Sequence, residues 1–307
     1  MHSNHRQPCS LAPDSAAGGL VTGLPLARSR AILPAAMETY ERPAIAGSGV
    51  IACGLAACAS AASRIHLLAR SDASAWRAEE QAQAAATKLP EGDPSKVRVT
   101  TNVDDLIDCD LVVEAITEDL ETKSEFLAQL GTACADADLA TTTSSLRVSE
   151  LGERSGHRDR LFGLHVFNPV PRMELVELCL PERLRSGAAD RARAWCQRLG
   201  KTTVEVPDQA GFVVNRLLFP YLFDAVRMLE RTGMSAEDVD SCMTLGAAHP
   251  MGPLKLLDFV GLDVAAAIGE GLCRDSGSES YEPPQALRDL VAEGKLGRKS
   301  GAGFYEY

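Results

Sequence analysis

Residues 43–62 read PAIAGSGVIACGLAACASAA, a short apolar run, a glycine-rich turn and a long alanine-rich stretch. The run is strand-like and the alanines are strong helix formers. A GxGxx[GA] pattern carries meaning only after a strand and at the opening of a helix, and here it has that setting. Gly47 is placed to make the tight turn. Gly49 lets the backbone approach a pyrophosphate, Ala52 takes the third fingerprint position, and the helix N-terminus holds the negative charge.

The segments that follow repeat this pattern. IHLLA at 65–69 is the next strand, and 74–88 is polar and helix-prone. VRVTT, DLVVEAI and DLATTTS are strand candidates, with the amphipathic ETKSEFLAQLGTAC between the last two. Strand and helix in alternation predict an α/β fold, a mostly parallel Rossmann-type sheet covered by helices on both faces.

After about residue 160 the pattern changes. LFGLHVF and MELVELCL are strand-like runs joined by NPVPR, whose two prolines favour a turn. A helix near 188–199 and the strand KTTVEV follow, and PDQAG marks a break. Beyond it FVVNRLLFPYLFDAVRMLERTG has helical spacing, and Ser235 with Asp238 resembles a capping box with Asp in place of Glu. The expected organisation is a leader over 1–36, a dinucleotide-binding domain over 37–207 and an all-α domain over 208–307.

Composition narrows the function. The 307-residue chain suits two domains. A formal net charge of −11 with no basic face argues against nucleic-acid binding. No apolar run is long enough to span a bilayer. Nine unclustered cysteines, with neither a CxxC pair nor Cys/His metal spacing, read as reduced thiols in a soluble, cytoplasmic protein without a metal site. Residues 1–36 hold one acid and three arginines among many Ala, Gly, Ser and Pro. They could pass for a targeting peptide. A disordered leader, or an overlong translation start with Met37 as initiator, is the preferred expectation.

Two positions carry the chemistry. The second strand of such a fold usually ends in an acid for the ribose 2′-hydroxyl of NAD, about 20 residues beyond the glycines. Here that place holds Arg70, with Ser71 beside it. A guanidinium cannot accept from a hydroxyl but pairs with a 2′-phosphate, so NADP is favoured over NAD. The alternative is a solvent-facing arginine and a loosely held adenosine end. Second, His165 and Glu177 lie at near-equal distances from the NPVPR turn, so an antiparallel hairpin sets them opposite each other. Glu177 shares its strand face with Leu175 and Cys179, which predicts a buried carboxylate in need of a partner. A carboxylate behind an imidazole fixes its tautomer and raises its basicity, which suits a general base for a hydroxyl proton.

Several segments together resemble the short-chain L-3-hydroxyacyl-CoA dehydrogenases, including 3-hydroxybutyryl-CoA dehydrogenases. They are TTTSSL at 141–146, GLHVFNPVPRMELVE at 163–177, DQAGFVVNRLL at 208–218, HPMGP at 249–253 and LGRKSGAGFYEY at 296–307. The resemblance runs from about residue 43 to the C-terminus. It implies His165 as catalytic base, Glu177 as its orienting partner, and Ser144 and Asn215 as donors to the substrate oxygen. It also places Glu118 and Lys123 near the nicotinamide ribose and makes the helical domain a homodimer interface.

The implied reaction is hydride exchange between C3 of an acyl thioester and NAD or NADP, and an NADP-linked version would run as a ketone reductase. Two departures stand out beside Ala52. Thr142 replaces the family's Asn, and the segment between Arg70 and VRVTT is shorter than the family's projecting hairpin. The shortening leaves an acyl-carrier-protein thioester, as in polyketide extender-unit synthesis, as an alternative to acyl-CoA. A lysine-centred β-hydroxyacid dehydrogenase is disfavoured because no lysine follows Asn215 at catalytic spacing. A non-catalytic dinucleotide-binding protein is disfavoured because His165 and Glu177 are both retained.

Overall fold

The computed structural model describes residues 38–307, so the leader expected over 1–36 lies outside the described residues. Strand β1 (Pro43–Ala46) is fully buried. Helix α1 (Val50–Ser60) is buried from Ala52 onward, which its small side chains permit. A Cβ on Gly54 would stand 3.0 Å from that of Val170, so the glycine at the second turn of α1 is the one that sets its close approach. Then follow β2 (Ile65–Leu68), α2 (Asp72–Thr87), β3 (Val97–Thr100), β4 (Leu111–Glu114), α3 (Leu120–Ala133) and β5 (Asp138–Thr141). After these come α4 (Val148–Ser155), β6 (Leu161–Val166), β7 (Leu175–Cys179), α5 (Ala188–Arg198) and β8 (Thr202–Glu205).

The eight strands form one sheet in the order β3-β2-β1-β4-β5-β6-β7-β8. β1 through β6 run parallel, β7 turns back against β6, and β8 runs with β7. The Rossmann-type reading therefore holds, with an antiparallel pair added at one edge. The order of strands reverses between β1 and β4, and such a reversal leaves a crevice at the carboxyl ends of the two strands.

Alternation along the strands divides the core. Ile45, Val113, Phe162, Leu164, Val176 and Leu178 pack on the face covered by α1 and α5. Ala44, Ala46, Val112, Leu161 and Cys179 pack on the other, against α3 and α4. His165 and Glu177, in step with Leu161 and Cys179, project from this second face.

Helix α4 has no counterpart in the sequence reading. It is two turns long and begins at Arg147, which supplies no side-chain cap. Its cap comes from far along the chain, since Asp208 accepts from the amides of Val148 and Ser149 at 2.8 Å each.

Beyond β8 the chain is largely helical: α6 (Val214–Thr232), α7 (Ala236–Ser241), α8 (Pro253–Val260), α9 (Leu262–Ser276) and α10 (Gln285–Ala292). They share a core that includes Phe219, Leu222, Phe223, Leu254, Leu257, Leu262 and Leu287. Ser235 caps α7 through the amide of Asp238, but the Asp238 carboxylate takes the Ser235 hydroxyl and not its amide. The expected box is therefore only half formed, because Asp is one methylene shorter than the usual Glu.

The HPMGP motif proves to be the entry to α8. Asp240 accepts from Leu254 and Lys255 at 2.8 and 2.9 Å, and a Cβ on Gly252 would collide with that carboxylate at 2.2 Å. Asp258 likewise accepts from the amides of Phe304 and Tyr305 and anchors the GAGFYEY segment.

Helix α6 tolerates Pro220 in its interior. A proline cannot donate to the carbonyl four residues earlier, which is that of Arg216. The Tyr281 hydroxyl donates to this carbonyl at 3.3 Å. Tyr281→Phe should therefore cost about 0.5–1.5 kcal/mol, read as a lower denaturation midpoint in urea. An unchanged midpoint would mean that water or an arginine serves the carbonyl equally well.

Candidate active site

The glycine turn after β1 lies at the strand-order reversal. Gly47 has φ +152°, and a Cβ there would stand 2.2 Å from the Ala115 carbonyl oxygen beyond β4. Only glycine fits. Gly49 caps α1 without a side-chain bond, and a Cβ there would meet nothing within 4 Å. That is open space in front of a helix N-terminus, the setting in which a pyrophosphate is held. Ala52, one turn in, is buried. The cradle accordingly fits a dinucleotide.

At the end of β2, Arg70 is exposed and makes no hydrogen bond or ion pair with any described residue. Ser71 caps α2 in a reciprocal arrangement with Ser74, whose hydroxyl accepts from the Ser71 amide at 3.0 Å. One helix, α2, gives way through the short 3-10 turn Pro94–Lys96 directly to β3.

On the second face of the sheet, β6 and β7 pair in the register His165↔Glu177. The imidazole Nδ1 lies 2.7 Å from Glu177 Oε2, and both residues are buried. The other oxygen, Oε1, accepts from the amides of Val213 and Val214 at 3.0 and 2.9 Å, at the start of α6. Burial opposes the charge on Glu177. The His165 bond, the Val214 amide and the Val213 amide outweigh that penalty and hold the carboxyl below the usual range. With Nδ1–H donated to a carboxylate, Nε2 is the nitrogen left free to take a proton. Phe167 and Phe212 flank the ring at centroid distances of 4.6 and 5.4 Å. Phe212 reaches this place with φ +44°, a conformation that costs roughly 1 kcal/mol or more for a side chain of this size.

The first turn of α6 also reaches the β5 end. Asn215 Nδ2 donates to the Ser144 carbonyl at 3.3 Å. Glu118 lies beneath the same loop. Its Oε1 accepts from the Thr143 hydroxyl and the Ser144 and Ser145 amides at 2.7, 2.8 and 2.7 Å, and from the Ser145 hydroxyl at 2.9 Å. Burial would raise this carboxyl, but Lys123 and these donors hold it low. Lys123 is buried, with Nζ 2.7 Å from Glu114 Oε1 and 3.4 Å from Glu118 Oε2. Glu114 went unnoticed in the sequence, where it is one acid in a strand. Among the described residues no group of three or more His, Cys, Asp or Glu could hold a metal ion, and no helix is long and apolar enough to cross a membrane.

A Rossmann-type sheet with this glycine cradle after β1, and a buried His–Glu pair on β6 and β7, defines a nicotinamide-dinucleotide dehydrogenase. The model of the 3-hydroxyacyl-CoA dehydrogenase NAD binding domain matches residues 43–209, and that of the 3-hydroxyacyl-CoA dehydrogenase C-terminal domain matches 211–307. The chain belongs to the 3-hydroxyacyl-CoA dehydrogenase family. A probable 3-hydroxyacyl-CoA dehydrogenase of Caenorhabditis elegans is 42% identical over 227 residues, 73% of this chain and 74% of that protein. The mitochondrial hydroxyacyl-coenzyme A dehydrogenase of Sus scrofa is 46% identical over 200 residues, 64% of each protein. The crystal structure of (S)-3-hydroxybutyryl-CoA dehydrogenase PaaH1 from Ralstonia eutropha is similar with a TM-score of 0.81 at 34% identity, over 88% of this chain and 99% of that one.

The lowered carboxyl of Glu177 has a signed consequence. A carboxyl depressed in the native state stabilises the fold above its unfolded value, about 4.3, and loses that contribution as pH falls through the native value. Glu177→Gln should therefore lower the thermal midpoint at pH 7, and the gap to the wild type should close as pH drops below about 4. A gap independent of pH would mean that Glu177 is not held as a carboxylate.

Proposed function

We propose that the protein interconverts a short-chain (S)-3-hydroxyacyl-CoA and the corresponding 3-ketoacyl-CoA. The nicotinamide cofactor supplies or takes up the hydride exchanged at C3. In the oxidative direction His165 Nε2 accepts the hydroxyl proton, and in the reductive direction it returns that proton to the carbonyl oxygen. Glu177 keeps the ring in the tautomer with Nε2 free and balances the charge of the protonated ring. The Ser144 hydroxyl and the Asn215 amide address the substrate oxygen where charge develops. Gly47, Gly49 and Ala52 shape the pyrophosphate cradle, and Glu118 and Lys123 serve the nicotinamide ribose.

The observation that carries this reading is the His165–Glu177 bond placed beside the first turn of α6, which also supplies Asn215. Family membership and the names of the relatives favour coenzyme A over a carrier protein as the acyl carrier.

For the cofactor, the reading favours NADP. What supports it is Arg70, with Ser71 next to it, at the end of β2, where the guanidinium has no partner among the described residues and could pair with a 2′-phosphate. For assembly, the reading is a homodimer through the helical region. An apolar groove of about 580 Å³ lies between α6 and α8, lined by Leu217, Leu218, Tyr221, Met251 and Phe259 among others. Leu217 is 72% exposed and Leu245 86%. Surface of that kind is what a second copy covers.

Initial rates of acetoacetyl-CoA reduction test the cofactor and the carrier together. NADPH should be preferred over NADH, and Arg70→Asp should reverse the preference by about tenfold or more, the worth of one charge-assisted contact. An unchanged preference would remove Arg70 from the phosphate site. If NADPH binds without turnover, the coenzyme A reading fails and a carrier-protein thioester becomes the substrate to assay. In solution the mass at micromolar concentration should be twice that of the chain, and a monomeric mass would refute the dimer.

A further inference from the structure

The segment from Thr141 to Ser145 is gripped at both ends by carboxylates that reach it from another part of the chain. Glu114 closes β4 opposite Thr141 in the sheet register, and its Oε2 accepts from the Thr141 hydroxyl at 2.6 Å. Its Oε1 accepts from the Ile116 amide and from Lys123, both at 2.7 Å. Glu118 holds the far end through Thr143, Ser144 and Ser145. Lys123 stands between the two carboxylates and joins them.

This arrangement is costly as a source of stability. Glu114 is 0% exposed and Lys123 1%, and each ion loses several kcal/mol of hydration on burial. Apolar side chains of the same volume would fill the space at lower cost. What the ions provide is direction. Lys123 fixes Oε2 of Glu118, which is the partly exposed member of the three at 31%. With Oε2 fixed, Oε1 is aimed at the loop donors. The loop then presents the Ser144 carbonyl to Asn215.

We propose that Glu114 is a positioning residue for the dehydrogenase reaction: it holds Lys123 so that Lys123 fixes Glu118, and Glu118 sets the Ser144 loop against Asn215. Its part in catalysis rests on the reading above that Ser144 and Asn215 address the substrate oxygen. The clamp itself is a property of the fold and can be tested apart from turnover.

Glu114→Gln keeps the shape and one acceptor but removes the charge that holds Lys123. In this variant the Ser144 and Ser145 amides should exchange with deuterium about tenfold faster while the sheet amides keep their protection. The kcat for acetoacetyl-CoA reduction should fall about ten- to a hundredfold, and KM for the reduced cofactor should rise with it, because Lys123 and Glu118 are also the residues read as serving the nicotinamide ribose.

Thr141→Val removes one hydroxyl donor to the Glu114 carboxylate and leaves the Lys123 pair in place, and should give the same pattern, weaker. It decides the matter if Glu114→Gln does not fold. Unchanged exchange at 144–145 would overturn the proposal, as would faster exchange throughout the core with an unaltered kcat, since that is plain destabilisation. If the wild type does not turn over acetoacetyl-CoA, the functional reading falls, and the exchange pattern still decides the clamp.

Discussion

One buried carboxylate, that of Glu177, is shared by three donors from two parts of the chain. His165 reaches it along the sheet, and the Val213 and Val214 amides reach it from the start of α6. Removed from water, the charge must be satisfied on both oxygens, so the β6–β7 hairpin and the first turn of α6 are obliged to meet. Asn215 follows in the same turn, and its meeting with the Ser144 loop depends on that junction. The helix end contributes its partial positive charge to the same carboxylate. The tautomer of the histidine and the join between sheet and helices therefore have a single cause.

The same device recurs through the molecule. Asp208 caps α4, Asp240 caps α8, and Asp258 receives the amides of the GAGFYEY segment. Each is a carboxylate meeting backbone donors distant in sequence, and the glycines beside Asp240 and Asp258 make room for it. Part of the acidic excess of the chain is thus internal and structural. Burial raises the Asp258 carboxyl even against the Phe304 and Tyr305 amides and the Tyr307 hydroxyl that donate to it, with the nearby charge of Asp240 adding to the shift. These sites consequently differ in how firmly the charge is held.

What could be read in the sequence was what leaves a local trace. The glycine turn sits between a strand and a helix former, and the His165–Glu177 pairing follows from symmetry about a proline turn. Both are short-range patterns, and the register was found as expected. Arg70 was legible because the preceding strand fixes its place. Helix α4 was not, because its cap lies 60 residues away at Asp208. Glu114 went unread for the same reason, and Lys123 was singled out only through the family resemblance, since a glutamate ending an apolar strand and a lysine in an amphipathic helix reveal their burial and their pairing only when the sheet brings Thr141 alongside. The half-formed capping box at Ser235 shows the opposite limit. There the local signal was present, but one missing methylene redirected the carboxylate from an amide to a hydroxyl.

Glu177 fixes the His165 ring with the proton on Nδ1 and Nε2 bare. Nitrogen-15 spectra of histidine-labelled protein at neutral pH report this directly, with His165 identified among the six histidines by its loss in His165→Gln. That ring should show a protonated Nδ1 and an unprotonated Nε2. A His165 ring carrying its proton on Nε2, with Nδ1 bare against Glu177, would contradict that assignment.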